Sequence, residues 1–270
     1  MTDGEGEAHE RDGTDEAARR AAEKQARRDE KQARKERKAR RRARWRIEHR
    51  LGSPAFLHGL ALPDPLRRSV WVMGATSAAV ALGSAQRPET VDRARAEAAG
   101  LDIVRRHSGG GAVLLQPGDM RWLDVLLPAD DPYWDDDVGR SFLWLGEVWV
   151  EALASVGIVG EVHTGAPVRG EWSSLVCFAG LGTGEVTIAG RKAVGFSQRR
   201  TRSGARFQCM VHADWDPAPL LEVLALGPDE RGRAAVALDE IATGVGRDRL
   251  GPLVAAALTT IEGRRAPTHG

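Results

Sequence analysis

The chain predicts an α+β fold with a mixed, largely antiparallel β-sheet packed with helices, and three observations carry that reading. Short apolar runs broken by Gly- and Ser-containing turns recur from residue 67 onward, as strands do. They follow one another without the long crossovers that a doubly wound parallel sheet needs. One strongly amphipathic helix interrupts them, and a Leu- and Ala-rich segment from about residue 217 reads as helical.

Ahead of that domain stands a segment of different chemistry. Residues 1–50 hold 17 Lys and Arg against 12 Asp and Glu, net +5, whereas residues 51–270 hold 22 against 26, net −4; the overall +1 averages the two. The arm, 1–50, opens acidic and continues "AARRAAEKQARRDEKQARKERKARRRARWRIEHR", with almost no large apolar residue before Trp45. Its Ala, Glu, Lys, Gln and Arg favour transient helix, but it has no apolar stripe to bury. It reads as a disordered or solvated basic arm, able to dock an acidic surface. Residues 51–270 form the main domain. No apolar run follows Met1, the early acids argue against a transit peptide, and no stretch reaches the roughly 18 apolar residues of a membrane span. A cytoplasmic protein is expected, with neither membrane nor nucleic acid as partner.

The elements follow in order. "RRSVWVMGATSAAVALGSAQ" (67–86) suggests short strands and a turn, and "RPETVDRARAEAAG" (87–100) a helix with Pro88 in its first turn and Gly100 as its stop. "LDIVRR" (101–106) is a strand entering the loop "HSGGG"; "AVLL" resumes a strand, "QPGD" turns, and "MRWLDVLLP" (120–128) is another strand. Over 138–156, Val138, Phe142, Leu145, Trp149, Ala152 and Val156 recur at steps of three and four, one face of a helix whose N-terminus meets the acids 135–137. Strands are expected at 174–178, 185–189, 192–198 and 206–212. Cys177 and Cys209 lack metal spacing and read as reduced thiols that pack as small hydrophobes; no metal site is expected.

Two stretches carry chemistry. In "RRHSGGGAV" (105–113) three glycines after a strand allow close backbone approach to a ligand, and Arg105 and Arg106 offer fork-shaped donors. No Gly-Lys-Ser/Thr follows and a strand comes next, so neither a Walker loop nor a dinucleotide fingerprint is present. In "EVTIAGRKAVGFSQRR" (185–200) a hairpin turns at Gly190 with Lys192 just beyond it. Of the 22 basic residues after position 50, 21 are Arg and only Lys192 is Lys. Such a chain retains Lys where a compact cation on a flexible stem is required, as against an oxyanion in a narrow pocket.

Taken together, these two motifs in this order and separation resemble the lipoate–protein ligase and octanoyltransferase family, relatives of biotin–protein ligase; "ALGSAQ" (81–86) is similar to that family's early Gly-x-x-Gln strand. The resemblance covers about residues 69–215. It implies a class II aminoacyl-tRNA synthetase-like, biotin–lipoate ligase-like sheet with an acyl tunnel. It also implies that Arg106, Ser108, Gly109, Gly110, Gly111, Ala112, Gly195 and Ser197 line the acyl or acyl-adenylate group, with Lys192 catalytic.

The implied activity is ATP- and Mg-dependent activation of lipoate or octanoate as an adenylate, then transfer to a lysine of a lipoyl domain, with no permanently bound cofactor. Acceptors would be lipoyl domains of 2-oxoacid dehydrogenases or a glycine-cleavage H-type protein. The alternative is ATP-independent transfer from an acyl carrier protein through Cys177, fifteen residues before Lys192, where a nearby ammonium favours a thiolate. A third reading is a non-catalytic binder of acyl groups or lipoyl domains. The chain departs from the family pattern at several points. Gly184-Glu185 replaces an Asn-Asp or Tyr-Asp pair, "GFSQ" replaces Gly-Ser-Ala-Gln, and Gln208-Cys209 replaces His-Gly. "LLQPGD" lacks the usual His-Asp, and the residues after 215 are too few for a larger accessory domain.

Overall fold

The computed structural model describes residues 24–25, 27–34 and 44–264. The chain divides into two units, 1–44 and 45–270. In the first, residues 27–34 are helical and exposed, as their composition favours, and Gln25 Nε2 donates to Asp29 Oδ1 at 2.9 Å. Residues 1–23, 26 and 35–43 of the basic arm lie outside the described residues.

The second unit begins earlier than position 51. Strand β1 (Arg46–Gly52) pairs in parallel with β2 (Ser69–Ala75), and Trp45 is buried. The boundary drawn at residue 50 therefore cuts through a strand. Charge hid it, because Arg46, Glu48 and Arg50 interrupt an edge strand that one neighbour alone holds.

The main sheet has seven strands in the order β1-β2-β6-β10-β9-β8-β7. Its further members are β6 (Met120–Pro128), β7 (Glu161–Val162), β8 (Val186–Ile188), β9 (Arg191–Thr201) and β10 (Gly204–His212). All pairings except β1–β2 are antiparallel. A second sheet places β3 (Ala79–Leu82) between β4 (Asp102–Arg105), parallel to it, and β5 (Val113–Leu115), antiparallel to it. The fold class is the mixed, largely antiparallel α+β arrangement expected.

Strand β6 explains the layering. Leu123, Val125 and Leu127 face one apolar cluster with Leu145, Trp149, Leu253 and Ala257, from helices α3 (Leu143–Ser155) and α6 (Arg247–Gly263). Met120, Trp122 and Leu126 face the other cluster with Leu57, Ala81, Val113, Leu115 and Phe178. Period-2 alternation thus sends both faces into apolar surroundings, and the long sheet is a central layer. The second face is covered by the small sheet and by α1 (Pro54–Gly59). Of the other helices, α4 (Ala218–Val223) and α5 (Pro228–Ile241) pack a third cluster with β3 and Trp172, and α2 (Arg93–Ala98) joins them. Among the described residues no helix is long and apolar enough to cross a membrane.

Three expected elements come out differently. The 87–100 helix is a 3-10 turn, Pro88–Thr90, followed by the short α2, because the Asp92 side chain accepts from Arg95 N at 3.1 Å and caps a new start. The helix expected from 138 begins at 143. Asp137 Oδ1 instead accepts from Gly139 N and Arg140 N at 2.8 and 2.9 Å, which leaves Val138 exposed. The strand expected at 174–178 is a turn: Val176 N donates back to Trp172 O, and a 3-10 turn occupies Cys177–Ala179.

Candidate active site

The glycine loop joins β4 to β5 and is clamped onto the turn at Cys177. Ala112 N donates to Leu175 O at 2.7 Å and Cys177 N donates to Ala112 O at 2.9 Å. The approach is too close for a side chain at Gly111, where a Cβ would lie 2.6 Å from backbone atoms of Val176. Gly110 takes φ +97°, a region that glycine enters without steric penalty. Gln86 completes the clamp: its Oε1 accepts from Gly83 N, and its Nε2 donates to Ser174 O and Leu175 O, both at 3.0 Å.

Arg106 is buried beneath this loop. Its Nη1 donates to Ala81 O at 3.3 Å, and its Nη2 to Gly109 O and Gly111 O at 2.7 and 2.8 Å. Nη2 also lies 3.9 Å from Cys177 Sγ. The guanidinium thus shapes the loop and touches the thiol, while its Nε is buried with no hydrogen-bond partner among the described residues.

Lys192 is buried, unlike an ordinary hairpin lysine. The hairpin turns at Ala189 and Gly190, both at positive φ; Lys192 pairs with Thr187 on one side, and on the other, beyond the pairing with β10, it is covered by the bridge to Ala242 and by Thr243 N donating to Lys192 O. Its Nζ donates to Cys177 O and Gly180 O at 3.0 Å each and pairs with Glu185 Oε2 at 2.8 Å. An ammonium has three N–H bonds, and all three are engaged. Glu185 is equally occupied, since Oε2 also accepts from Gly182 N and Oε1 from Phe196 N. These contacts hold the Lys192 ammonium against the thiol-bearing turn. Gly195 is fitted to this lysine, because a Cβ there would stand 3.1 Å from Lys192 Cε and equally near the Phe178 ring.

Cys177 Sγ opens into a small pocket whose wall includes Arg106, Gly195, Ser197, Gln208 and His58. Phe178 and Val113 line it too, and they also wall an adjacent cavity of about 250 Å³ that contains His212 and Trp215. The Phe178 ring stacks on Trp215 at 5.1 Å. Polar groups on the pocket floor form a chain: Ser197 Oγ donates to Ser108 Oγ at 3.0 Å, and Ser108 Oγ donates to Gln208 Oε1 at 2.6 Å. Gln208, the departure from His, is thus the chain's acceptor. It adjoins Asp124, whose pKa burial pushes up to about 6 against the opposing pull of Arg206. A further departure, Phe196, joins the helix-side core cluster and stacks on Phe142 at 5.8 Å.

The two cysteines separate cleanly. Cys209 is a core residue whose burial raises its thiol pKa well above the usual range, whereas Cys177 is half-buried at the pocket. Both pack against the core as expected, Cys209 fully buried and Cys177 partly buried against the cluster of Trp122 and Phe178 while also lining the pocket. Of the residues singled out in the sequence, Arg106, Cys177, Gly195 and Ser197 meet at one pocket. Ser108 is joined to it by hydrogen bonds, Gly110 to Ala112 brace the thiol turn, Lys192 stands behind that turn, and Gly109 is exposed. Sequence reasoning missed Glu185 as Lys192's partner and missed His58 altogether. Glu185 carried a signal, an acid entering the strand before the lysine; His58, on a six-residue helix, carried none.

A metal-held nucleotide fits these residues poorly. Glu185, the acid of that strand, is consumed by Lys192 and two backbone N–H groups. Among the described residues no three His, Cys, Asp or Glu side chains stand together as a metal site.

Residues 65–245 match the family model described as lipoyl protein ligase A/B catalytic domain. The chain is 30% identical over 156 residues to an octanoyltransferase LipM of Moorella thermoacetica, covering 57% of this chain and 52% of that protein. It is 26% identical over 149 residues to the octanoyltransferase LipM of Clostridioides difficile, covering 54% of each. The chain spans about half the length of these curated relatives. Among solved structures it resembles a lipoate-protein ligase A bound with ATP (TM-score 0.57, 18% identity, 81% of this chain and 85% of that one). It also resembles the bi-partite lipoate protein ligase from Thermoplasma acidophilum, described with its E2 lipoyl domain (TM-score 0.58, 19% identity, 83% and 88%). At these identities the structures speak for the fold.

Proposed function

The chain belongs to the lipoyl protein ligase A/B catalytic-domain family, and from that premise we propose that it transfers an octanoyl group through Cys177 to a lysine of a lipoyl domain, without ATP. The observation that carries this reading is the placement of Cys177. A half-buried thiol stands at an apolar pocket, in contact with a guanidinium, on a turn fastened by Lys192. The octanoyltransferase relatives support it, and the occupied Glu185 speaks against the adenylate route.

In the first step Cys177 Sγ attacks the carbonyl carbon of an octanoyl thioester, such as that of an acyl carrier protein. A new Sγ–C bond forms, the donor's C–S bond breaks, and the proton of Sγ leaves with the donor thiol. In the second step the amine of the acceptor lysine attacks the same carbon. A C–N bond forms, the C–Sγ bond breaks, and an amine proton returns to Sγ. Both steps gather negative charge on the carbonyl oxygen, and preorganised donors stabilise it. Arg106 supplies positive charge beside the sulfur, and Lys192 acts through the backbone by holding the Cys177 and Gly180 carbonyls.

The test is a mass measurement on a lipoyl domain after incubation with octanoyl-acyl carrier protein, or with octanoate and MgATP. Octanoylation from the thioester, lost in Cys177→Ala, is expected. Octanoylation that needs ATP, or that persists in Cys177→Ala, would overturn the thiol route in favour of adenylation.

A further inference from the structure

Acyl transfer at Cys177 requires hydrogen-bond donors for the carbonyl oxygen, and most donors at the pocket already have acceptors. Lys192 gives its three N–H bonds to Cys177 O, Gly180 O and Glu185. Ser197 donates to Ser108 and Ser108 to Gln208. The Nη atoms of Arg106 serve the carbonyls of residues 81, 109 and 111. Two residues of the pocket wall keep buried polar atoms with no partner among the described residues: Arg106 at Nε, and His58 at both ring nitrogens.

Buried groups of this kind ordinarily have a hydrogen-bond partner, and those that lack one call for an explanation. We propose that His58 and the Nε–H of Arg106 are a donor pair that receives the carbonyl oxygen of the acyl thioester. The inference rests on the acyl-transfer reading above and adds a residue that lies before the matched span 65–245.

The fold holds His58 firmly. Ser53 Oγ accepts from Phe56 N to start α1, and Leu57 is fully buried. At the far end Arg206 donates to Leu57 O, Leu60 O and His58 O at 2.8, 3.0 and 3.5 Å, and is itself fixed by Asp124. The imidazole lies on Trp122 with ring centroids 4.4 Å apart. Burial, then the charges of Arg206, Arg106 and His107, lower its pKa to about 3, so the ring is neutral at neutral pH. A neutral imidazole has one N–H to give, and it polarises a carbonyl without first surrendering a charge.

The experiment measures dissociation constants in Cys177→Ala protein, where the thiol cannot be acylated, for octanoyl-pantetheine and for S-octyl-pantetheine, the thioether that lacks the carbonyl. The thioester is expected to bind at least tenfold more tightly, as one well-made hydrogen bond of the pair supplies. His58→Phe, which leaves only the Nε–H of Arg106, should lower that preference severalfold with thioether binding unchanged, while His58→Gln, which keeps an N–H, should retain most of it. Unfolding midpoints confirm that each variant is folded. A preference undiminished in His58→Phe, an equal loss for both ligands, or a folded His58→Gln no better than Phe would overturn the proposal. Binding of neither ligand would remove both the proposal and the acyl-transfer reading. Carbonyl preference that depends on His58, in a protein that acylates no lipoyl domain, would remove only the latter.

Discussion

Lys192→Met removes the ammonium and keeps an unbranched stem of similar length in the slot against Gly195. The Glu185 carboxylate then remains buried without its cation, and the Cys177 and Gly180 carbonyls lose their shared donor. Removing one member of a buried ion pair costs about 3–5 kcal/mol. For a domain of this size that lowers the unfolding midpoint by roughly 6–20 °C, taking about 2–4 °C per kcal/mol. Lys192→Met with Glu185→Gln replaces the pair by neutral groups and should recover at least half of that loss. Function should not recover with it, because the thiol turn is still unpinned, and displacing a reacting group by about 1 Å costs on the order of 100-fold in rate. The assays are urea unfolding and the rate of Cys177 octanoylation followed by intact mass. A single variant destabilised by less than about 1 kcal/mol would refute the energetic argument. A double variant that acylates Cys177 at the wild-type rate would refute the positioning one.

Three further outcomes follow from the same geometry. His58 and His212 have pKa values lowered to about 3 and about 4, chiefly by burial, so the folded state binds fewer protons than the unfolded chain below pH 6.5. Stability should therefore fall with decreasing pH between about 6.5 and 4, by up to about 1.4 kcal/mol per pH unit for each ring, and His58→Gln should remove one ring's share; equal slopes in urea titrations of the two proteins would contradict this. Gly111→Ala places a Cβ 2.6 Å from Val176 backbone that cannot move aside, and is expected to lower stability by about 1–3 kcal/mol and slow Cys177 acylation, checked by unfolding midpoint and intact mass. Iodoacetamide should modify Cys177 in the native protein and leave Cys209, which is 1% exposed, untouched until denaturant is added; early labelling of Cys209 on peptide mapping would be contrary.

Local pattern determined much of this molecule from the sequence alone. Alternating apolar residues placed β6 and β10 within two residues and β9 within three, because strand periodicity is a property of neighbours along the chain. Three consecutive glycines marked the place where backbone meets backbone, and one lysine among arginines marked a buried cation. Which groups Lys192 touches was decided only by tertiary structure. Its partners lie 7 to 15 residues away, just before β8 and around a turn, and a motif does not say whether an ammonium faces a ligand or its own backbone. Arg206 grips the end of α1 across 146 to 149 residues of sequence, so nothing local announces that His58 is held at the pocket. Periodicity records which face of an element is buried, whereas the pairing of buried polar groups depends on which distant elements the core brings together. The strands and the two motifs were therefore legible in the chain, and the donors at the pocket became visible only once it was folded.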